Sequence, residues 1–202
     1  MKKFFYLLTL SISTTAFGQD KQDEFIRLED IDNTFVYDMR YATANNFIKK
    51  QVYECDKCII RKEVAESLIK ANNFFKSKGY RIKFFDCYRP LDVQRQMWEV
   101  FPNPKYVANP AYGSIHNRGG AVDITLVDEN GNELNMGTDF DHFGEEAHHA
   151  YQQLDAKVME NRRLLKSGME AAGFVAIRTE WWHYNFGSAK KYEVSNFKVE
   201  CE

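Results

Sequence analysis

The segment 114–123, SIHNRGGAVD, sets an imidazole (His116) and a carboxylate (Asp123) seven positions apart, with Gly119 and Gly120 between them. On an uninterrupted strand, residues seven apart face opposite sides. A turn at the glycines lifts that restriction and lets the two side chains converge. A catalytic zinc shell takes three protein ligands and keeps one position for water, so His116 and Asp123 would supply two of the three. A hydrogen-bonded structural pair would show the same pattern. The remaining histidines are His142, His148, His149 and His183. His183 has the most informative neighbours, TEWWHYNF, with Glu180 three residues before it. A glutamate beside a zinc-activated water is the usual general base of a metallopeptidase. Residues three apart share a face on a helix but not on a strand, so this reading requires a bend at Trp181-Trp182. Two core tryptophans beside a satisfied core histidine fit the same letters. His148 and His149 are adjacent and point apart, as at a solvated loop-to-helix junction. No HEXXH occurs, which excludes a helix-borne zincin.

The elements that must carry these residues follow from periodicity. Residues 34–41 alternate as a strand. Residues 60–78 repeat Val64, Leu68, Ala71 and Phe75 at helical spacing, with Gly79 at the expected C-cap. Residues 80–88 alternate as a strand, and Pro90 opens a helix over 91–101. The prolines and glycine of 102–113 make a loop. Residues 121–128 form a β-branched strand ending in an Asn130-Gly131 hairpin turn. Residues 136–149 lack a period and read as a loop. Residues 151–172 read as a helix ended by Gly173, and 174–186 as strand material. This order predicts a single α+β domain with a mainly antiparallel central sheet flanked by helices.

The chain has 202 residues and a formal charge of −2. That mildly acidic balance carries no electrostatic footprint for nucleic acid. Lys2 and Lys3, the apolar run from Phe4 to Ile12, and Ala16-Phe17-Gly18 follow the order of a secretory signal. The expectation is cleavage after Gly18, leaving a periplasmic or secreted domain over 19–202 with no membrane insertion of its own. Four cysteines, Cys55, Cys58, Cys87 and Cys201, then sit in an oxidising compartment. One or two structural disulfides or buried thiols are expected, with three pairings open. CDKC lacks the second ligand pair of a structural zinc site.

Several motifs together carry a resemblance. SIHNRGGAVD fits S-x-H-x-x-G-x-A-x-D, and with EWWH downstream it resembles the zinc D-alanyl-D-alanine peptidases. That superfamily also holds bacterial cell-wall carboxypeptidases and the hedgehog signalling domain. DMRYATANNF (38–47), DCYRP (86–90), MGTDFD (136–141) and NRRLLKSGMEAAGF (161–174) narrow it to the D-alanyl-D-alanine dipeptidase branch, the VanX type. The resemblance spans residues 36 to 187 in one order. It implies a hedgehog/D,D-peptidase-like fold and a small dipeptide substrate. It implies one Zn2+ per chain, bound by His116, Asp123 and His183, with Glu180 as general base. Arg89 would stabilise the oxyanion, Asp141 with Tyr41 would hold the free ammonium, and Ser114 would touch the substrate carboxylate or backbone. Asp86 would either orient Arg89 or cap the helix at Pro90. The chain departs from the family pattern in its exported start, which points to salvage of dipeptides released from peptidoglycan, and in Cys87 beside Tyr88-Arg89. A D,D- or L,D-carboxypeptidase and a non-catalytic zinc module share the same ligands. A serine penicillin-binding enzyme is suggested by SLIK (67–70) and KSG (166–168), but both fall in helices, whereas the K-T-G box belongs on a strand.

Overall fold

A computed structural model describes residues 25–202, so the expected signal segment lies outside the described residues. The strands and helices run in the order β1 (Phe25–Arg27), β2 (Val36–Tyr37), β3 (Ile59–Arg61), α1 (Lys62–Lys76), β4 (Arg81–Asp86), α2 (Leu91–Val100), β5 (Ala121–Val127), α3 (Ala156–Ala171), β6 (Phe174–Ala176) and β7 (His183–Phe186). Five strands form one sheet in the order β2-β4-β5-β7-β6. Its β2–β4 pair is parallel and the other three pairs are antiparallel. A second, two-stranded antiparallel sheet joins β1 to β3. The α+β class and the mainly antiparallel sheet are as the periodicity predicts. No helix among the described residues is long and apolar enough to cross a membrane.

Central strand β5 is buried along all seven residues, Asp123 and Thr125 included, so both of its faces are covered. Helices α1 and α3 bury their apolar stripes, Phe75 and Leu68 from one and Leu165 and Met169 from the other. Helix α1 ends as its glycine predicts. Gly79 has φ +82°, its N–H donates to the Lys76 carbonyl, and the Tyr80 N–H donates to Phe75 O at 3.0 Å, closing a Schellman motif.

Three element boundaries differ from expectation. The strand over 34–41 shrinks to Val36–Tyr37. The last bond of its ladder is Asp38 N–H to Phe84 O, and the chain then folds into a 3₁₀ turn over Arg40–Ala42 that swings Tyr41 inward. The helix over 60–78 starts at Lys62, because Ile59–Arg61 pairs with β1 instead. The helix over 151–172 starts at Ala156. The four cysteines form two disulfides, Cys55–Cys201 and Cys58–Cys87. CDKC therefore contributes to two different cross-links. Ser67 and Gly168 lie in α1 and α3, away from the cavity described below, so SLIK and KSG are helix sequence.

Gly168 is where α3 meets α1. A Cβ there would come within 2.3 Å of the buried Phe75 ring. Alanine gains about 1 kcal/mol of helix propensity over glycine, whereas overpacking a core costs about 1–3 kcal/mol. Gly168→Ala should therefore lower unfolding stability, by up to about 2 kcal/mol in urea denaturation; a more stable variant would mean that the two helices can separate freely.

Candidate metal and catalytic site

Sheet register brings the site together. Asp123 on β5 lies opposite His183 on β7 and, across a bulge, opposite Asp86 on β4. Directly opposed residues project to the same face, so Asp86, Asp123 and His183 form one row across the sheet. His116 enters from the 3₁₀ turn His116–Arg118, which Gly119 ends at φ +66°. A Cβ at Gly119 would sit 2.2 Å from the Phe25 ring, so both space and backbone conformation demand glycine. The expected bend at Trp181-Trp182 is present: residues 177–182 leave the strand between β6 and β7, and Glu180 folds back beside His183.

The ligand atoms converge closely. His116 Nε2 lies 3.1 Å from His183 Nδ1 and 3.3 Å from Asp123 Oδ1, and His183 Nδ1 lies 2.9 Å from the same oxygen. Zinc–nitrogen and zinc–oxygen bonds of about 2.0–2.2 Å place tetrahedral ligands roughly 3.3–3.6 Å apart, and the observed triangle is slightly tighter. Tautomers decide whether the donor set suits a cation. His116 Nδ1 donates to the Cys87 carbonyl at 2.7 Å, leaving Nε2 as a lone pair. His183 Nε2 donates to Asn185 Oδ1 at 2.9 Å, leaving Nδ1 as a lone pair. Two imidazole lone pairs and a carboxylate oxygen thus face one another with too few protons to pair them. A divalent cation resolves that arrangement, and the hydrogen bonds on the far ring nitrogens are those that orient metal-bound histidines. Burial alone would raise the Asp123 pKa, whereas positive charge on the two imidazoles would hold it well below the usual carboxylate range, the same demand for a cation that the lone pairs express.

All eight residues singled out above line one cavity of about 530 Å³. Glu180 is 6% exposed, with Oε2 3.9 Å from His183 Nδ1. Burial pushes its carboxyl up to about 8, with Asp123 and Asp141 adding to the rise against His183 and Arg89. Arg89 donates from Nε and Nη2 to Asp86 Oδ2 at 3.0 and 2.6 Å, and from Nη1 to Gln94 Oε1 at 2.8 Å. Of its five N–H groups, two remain for a ligand. Burial works against this cation, but Asp86 keeps it charged. Asp86 therefore orients Arg89 and does not cap α2, whose first-turn Asp92 N–H donates to Asn196 Oδ1 at 2.8 Å instead. Asp141 sits at φ +62° and accepts the Tyr41 hydroxyl at 3.0 and 3.1 Å. Burial pushes its carboxyl up to about 7, helped by Asp123. Ser114 Oγ accepts the His116 N–H at 3.2 Å, which leaves its own O–H to donate.

His142, His148 and His149 stay outside the triangle. His142 faces Glu146, and His148 faces Tyr106 at 3.3 Å. His149 is held below the usual histidine range, at about 4, by burial and nearby Lys166 and Arg162. Sequence reasoning missed Asn185, Gln94, Tyr53 and Asn117. Asn185 was the most accessible of these, two residues after His183 and so on the same strand face. Tyr53, whose hydroxyl donates to Asp86 Oδ1 at 2.6 Å, lies in an irregular segment with no periodic signal.

A family model described as D-ala-D-ala dipeptidase matches residues 21–201. The chain belongs to that peptidase family. The D-alanyl-D-alanine dipeptidase of Escherichia coli (strain K12) is 35% identical over 164 residues, covering 81% of this chain and 85% of that protein. The enzyme of the same name from Enterococcus faecium is 34% identical over 181 residues, covering 79% and 90%. A solved vancomycin resistance D,D-pentapeptidase, VanY, aligns at 15% identity with a TM-score of 0.44, covering 69% of this chain and 79% of that one.

His116→Ala removes one of the three lone pairs. Divalent metal retained after dialysis, measured by plasma mass spectrometry, should fall from stoichiometric to trace, whereas His149→Ala should retain it. Equal retention in the two variants would exclude His116 from the site.

Proposed function

We propose that this protein is a zinc-dependent dipeptidase that hydrolyses D-Ala-D-Ala to two D-alanines. The observation that carries the reading is the meeting of the His116, Asp123 and His183 lone pairs beside a buried Glu180, inside a cavity with a carboxylate at one end. His116, Asp123 and His183 would hold the metal. A zinc ion bound there would lower the pKa of its water to about 7 and polarise the scissile carbonyl. Glu180 takes a proton from the attacking water and returns it to the leaving amine. A carboxyl raised to about 8 suits that exchange near neutral pH. Arg89, clamped by Asp86 and Gln94, directs its two remaining N–H groups at the developing oxyanion. Asp141, fixed by Tyr41, pairs with the substrate ammonium, and Ser114 donates to the substrate carboxylate or backbone.

The Asp141–Tyr41 pair favours the dipeptidase over a carboxypeptidase. A carboxylate that must meet a free ammonium one residue from the scissile bond discriminates against long stem peptides. Presence of both Glu180 and Arg89 favours a catalyst over a binding module, which needs neither. We place the protein in the periplasm or outside the cell, with a signal segment cut after Gly18 and a role in salvaging dipeptides from peptidoglycan. The pairing of all four cysteines as disulfides supports export.

The direct test incubates purified protein with D-Ala-D-Ala, L-Ala-L-Ala and a pentapeptide stem, with and without chelator, and follows released amine. Chelator-sensitive cleavage of the first substrate alone is expected; preferential release of D-Ala from the stem would replace the dipeptidase with a carboxypeptidase. Glu180→Ala should keep its metal and lose about 10²–10⁴-fold in kcat. Full turnover in that variant would defeat the base assignment. Asp141 must be ionised to hold an ammonium, and its carboxyl is raised to about 7. Raising the pH from 6 to 8 should therefore lower KM in the native protein as the carboxylate forms. The KM of Asp141→Asn should be higher and flat over that range. Parallel profiles would remove Asp141 from substrate binding.

A further inference from the structure

Residue 87 stands where the two halves of the site meet. Its carbonyl accepts the His116 Nδ1–H at 2.7 Å, and its N–H donates to Asp86 Oδ1 at 2.9 Å. The next N–H, from Tyr88, donates to Ile59 O at 2.9 Å, and the Arg89 N–H donates to His116 O at 3.2 Å. The regular ladder of β4 stops at Asp86; beyond it a single backbone bond, Tyr88 N–H to Ile59 O, ties the Cys87–Tyr88 peptide to β3, next to Cys58. The Cys87 side chain is tied to Cys58, the residue before β3. Cys58 is itself anchored, since its carbonyl accepts the Leu28 N–H at 3.0 Å. Both sulfur-bearing residues are buried, at 2% and 0% exposure. Cys55 and Cys201, in contrast, join the C-terminal tail to the surface, where Cys201 is exposed.

We infer that the Cys58–Cys87 disulfide is a positioning element for the metal site and for Arg89. It fixes the Cys87 peptide plane so that the carbonyl takes the Nδ1 proton of His116 and leaves the Nε2 lone pair facing Asp123 and His183. The same cross-link holds the four-residue step from Asp86 to Arg89 on which the guanidinium is mounted. If this peptide is released, His116 can take its other tautomer, which places a proton where the lone pair is needed. Partners of this kind, acting on a ligand's far nitrogen, typically change metal affinity or activity by about 10–100-fold. This role rests on the metallopeptidase reading, and the test separates the two.

The test compares Cys58→Ala/Cys87→Ala with Cys55→Ala/Cys201→Ala, measuring zinc Kd by competition with a chromophoric chelator, then kcat and KM well below each Tm. The first pair should weaken zinc binding and kcat by about ten-fold or more, with KM changed less. The second should lower Tm and leave zinc Kd within two-fold of native. If the first pair also lowers only Tm, the disulfide is structural and the inference is wrong. If native protein binds no zinc, the metallopeptidase reading itself fails. Should the first pair not fold, graded reduction of folded native protein by a water-soluble phosphine answers the same question. Each cleavage consumes one water, oxidises the phosphine to its oxide and yields two thiols. Alkylation and mass mapping then assign which bond is open. Zinc affinity should follow loss of Cys58–Cys87; loss that follows Cys55–Cys201 would overturn the inference.

Discussion

The structure depends on a buried place where acceptors face acceptors. Asp123 Oδ1, His116 Nε2 and His183 Nδ1 stand within 3.3 Å of one another with their lone pairs inward. Such an arrangement is costly in a low-dielectric interior unless a cation satisfies it. It cannot relax, because each group is held from behind. Asp123 and His183 are opposed across two paired strands, and each imidazole has its outer nitrogen bonded to a fixed oxygen. The sheet and the hydrogen bonds behind the ligands thus set a demand for positive charge before any ion arrives.

The cavity's other charges follow from that demand. Asp123, Asp141 and Glu180 line the cavity with the buried cation Arg89, and Asp86 stands behind that cation. Asp86 and Arg89 compensate each other directly. Asp123 is compensated once positive charge occupies the triangle. The two carboxyls left over, Asp141 and Glu180, are the ones pushed up, to about 7 and about 8. Burial raises all three, so it is their neighbours that separate the proton affinities of Asp141 and Glu180 from that of Asp123, and that separation suits the proposed roles of ligand, proton carrier and counter-charge. The same residue type does three jobs because each copy sees a different set of neighbours.

The meeting of His116 with Asp123 and of Glu180 with His183 was readable from sequence because its constraints are local. His116 and Asp123 are joined by a glycine turn, and Glu180 and His183 by a three-residue bend, so short spacings carry their geometry. The sheet was readable for the same reason, as in the alternation of residues 80–88 and the β-branched run at 121–128. What sequence could not show was which strand lies beside which. The row of Asp86, Asp123 and His183 is a matter of register, and nothing in DCYRP or EWWH announces it. Sequence leaves open whether Asp86 caps α2 or anchors Arg89; the two bonds from the guanidinium to Asp86 Oδ2 decide for the anchor. Tyr53, on irregular backbone, and Asn117, whose side-chain N–H donates from a short 3₁₀ turn to the Arg89 carbonyl at 2.7 Å, leave no period. The strand at 34–41 was overread because alternation continues past Tyr37, although the chain turns there to bury Tyr41.

Placement of the proposed substrate-recognition pair, Asp141 and Tyr41, follows the same division between rigid and adaptable parts. Asp123 and His183 ride on β5 and β7, His116 on the buried 3₁₀ turn that leads into β5, and Arg89 on the cross-linked step after β4. Asp141 and Tyr41 sit instead on irregular segments, 136–149 and 40–42, joined to each other by a side-chain hydrogen bond with no shared ladder. Asp141 even adopts a positive φ, a conformation that costs a non-glycine residue and is kept where surroundings over-determine it. Reaction geometry tolerates little displacement, so it belongs on strands. Reading the length of a substrate requires only one charge at a set distance from the scissile bond, and a pair of loops tied across the cavity can supply that. Changes in these loops could alter which peptides fit without disturbing the three lone pairs behind them.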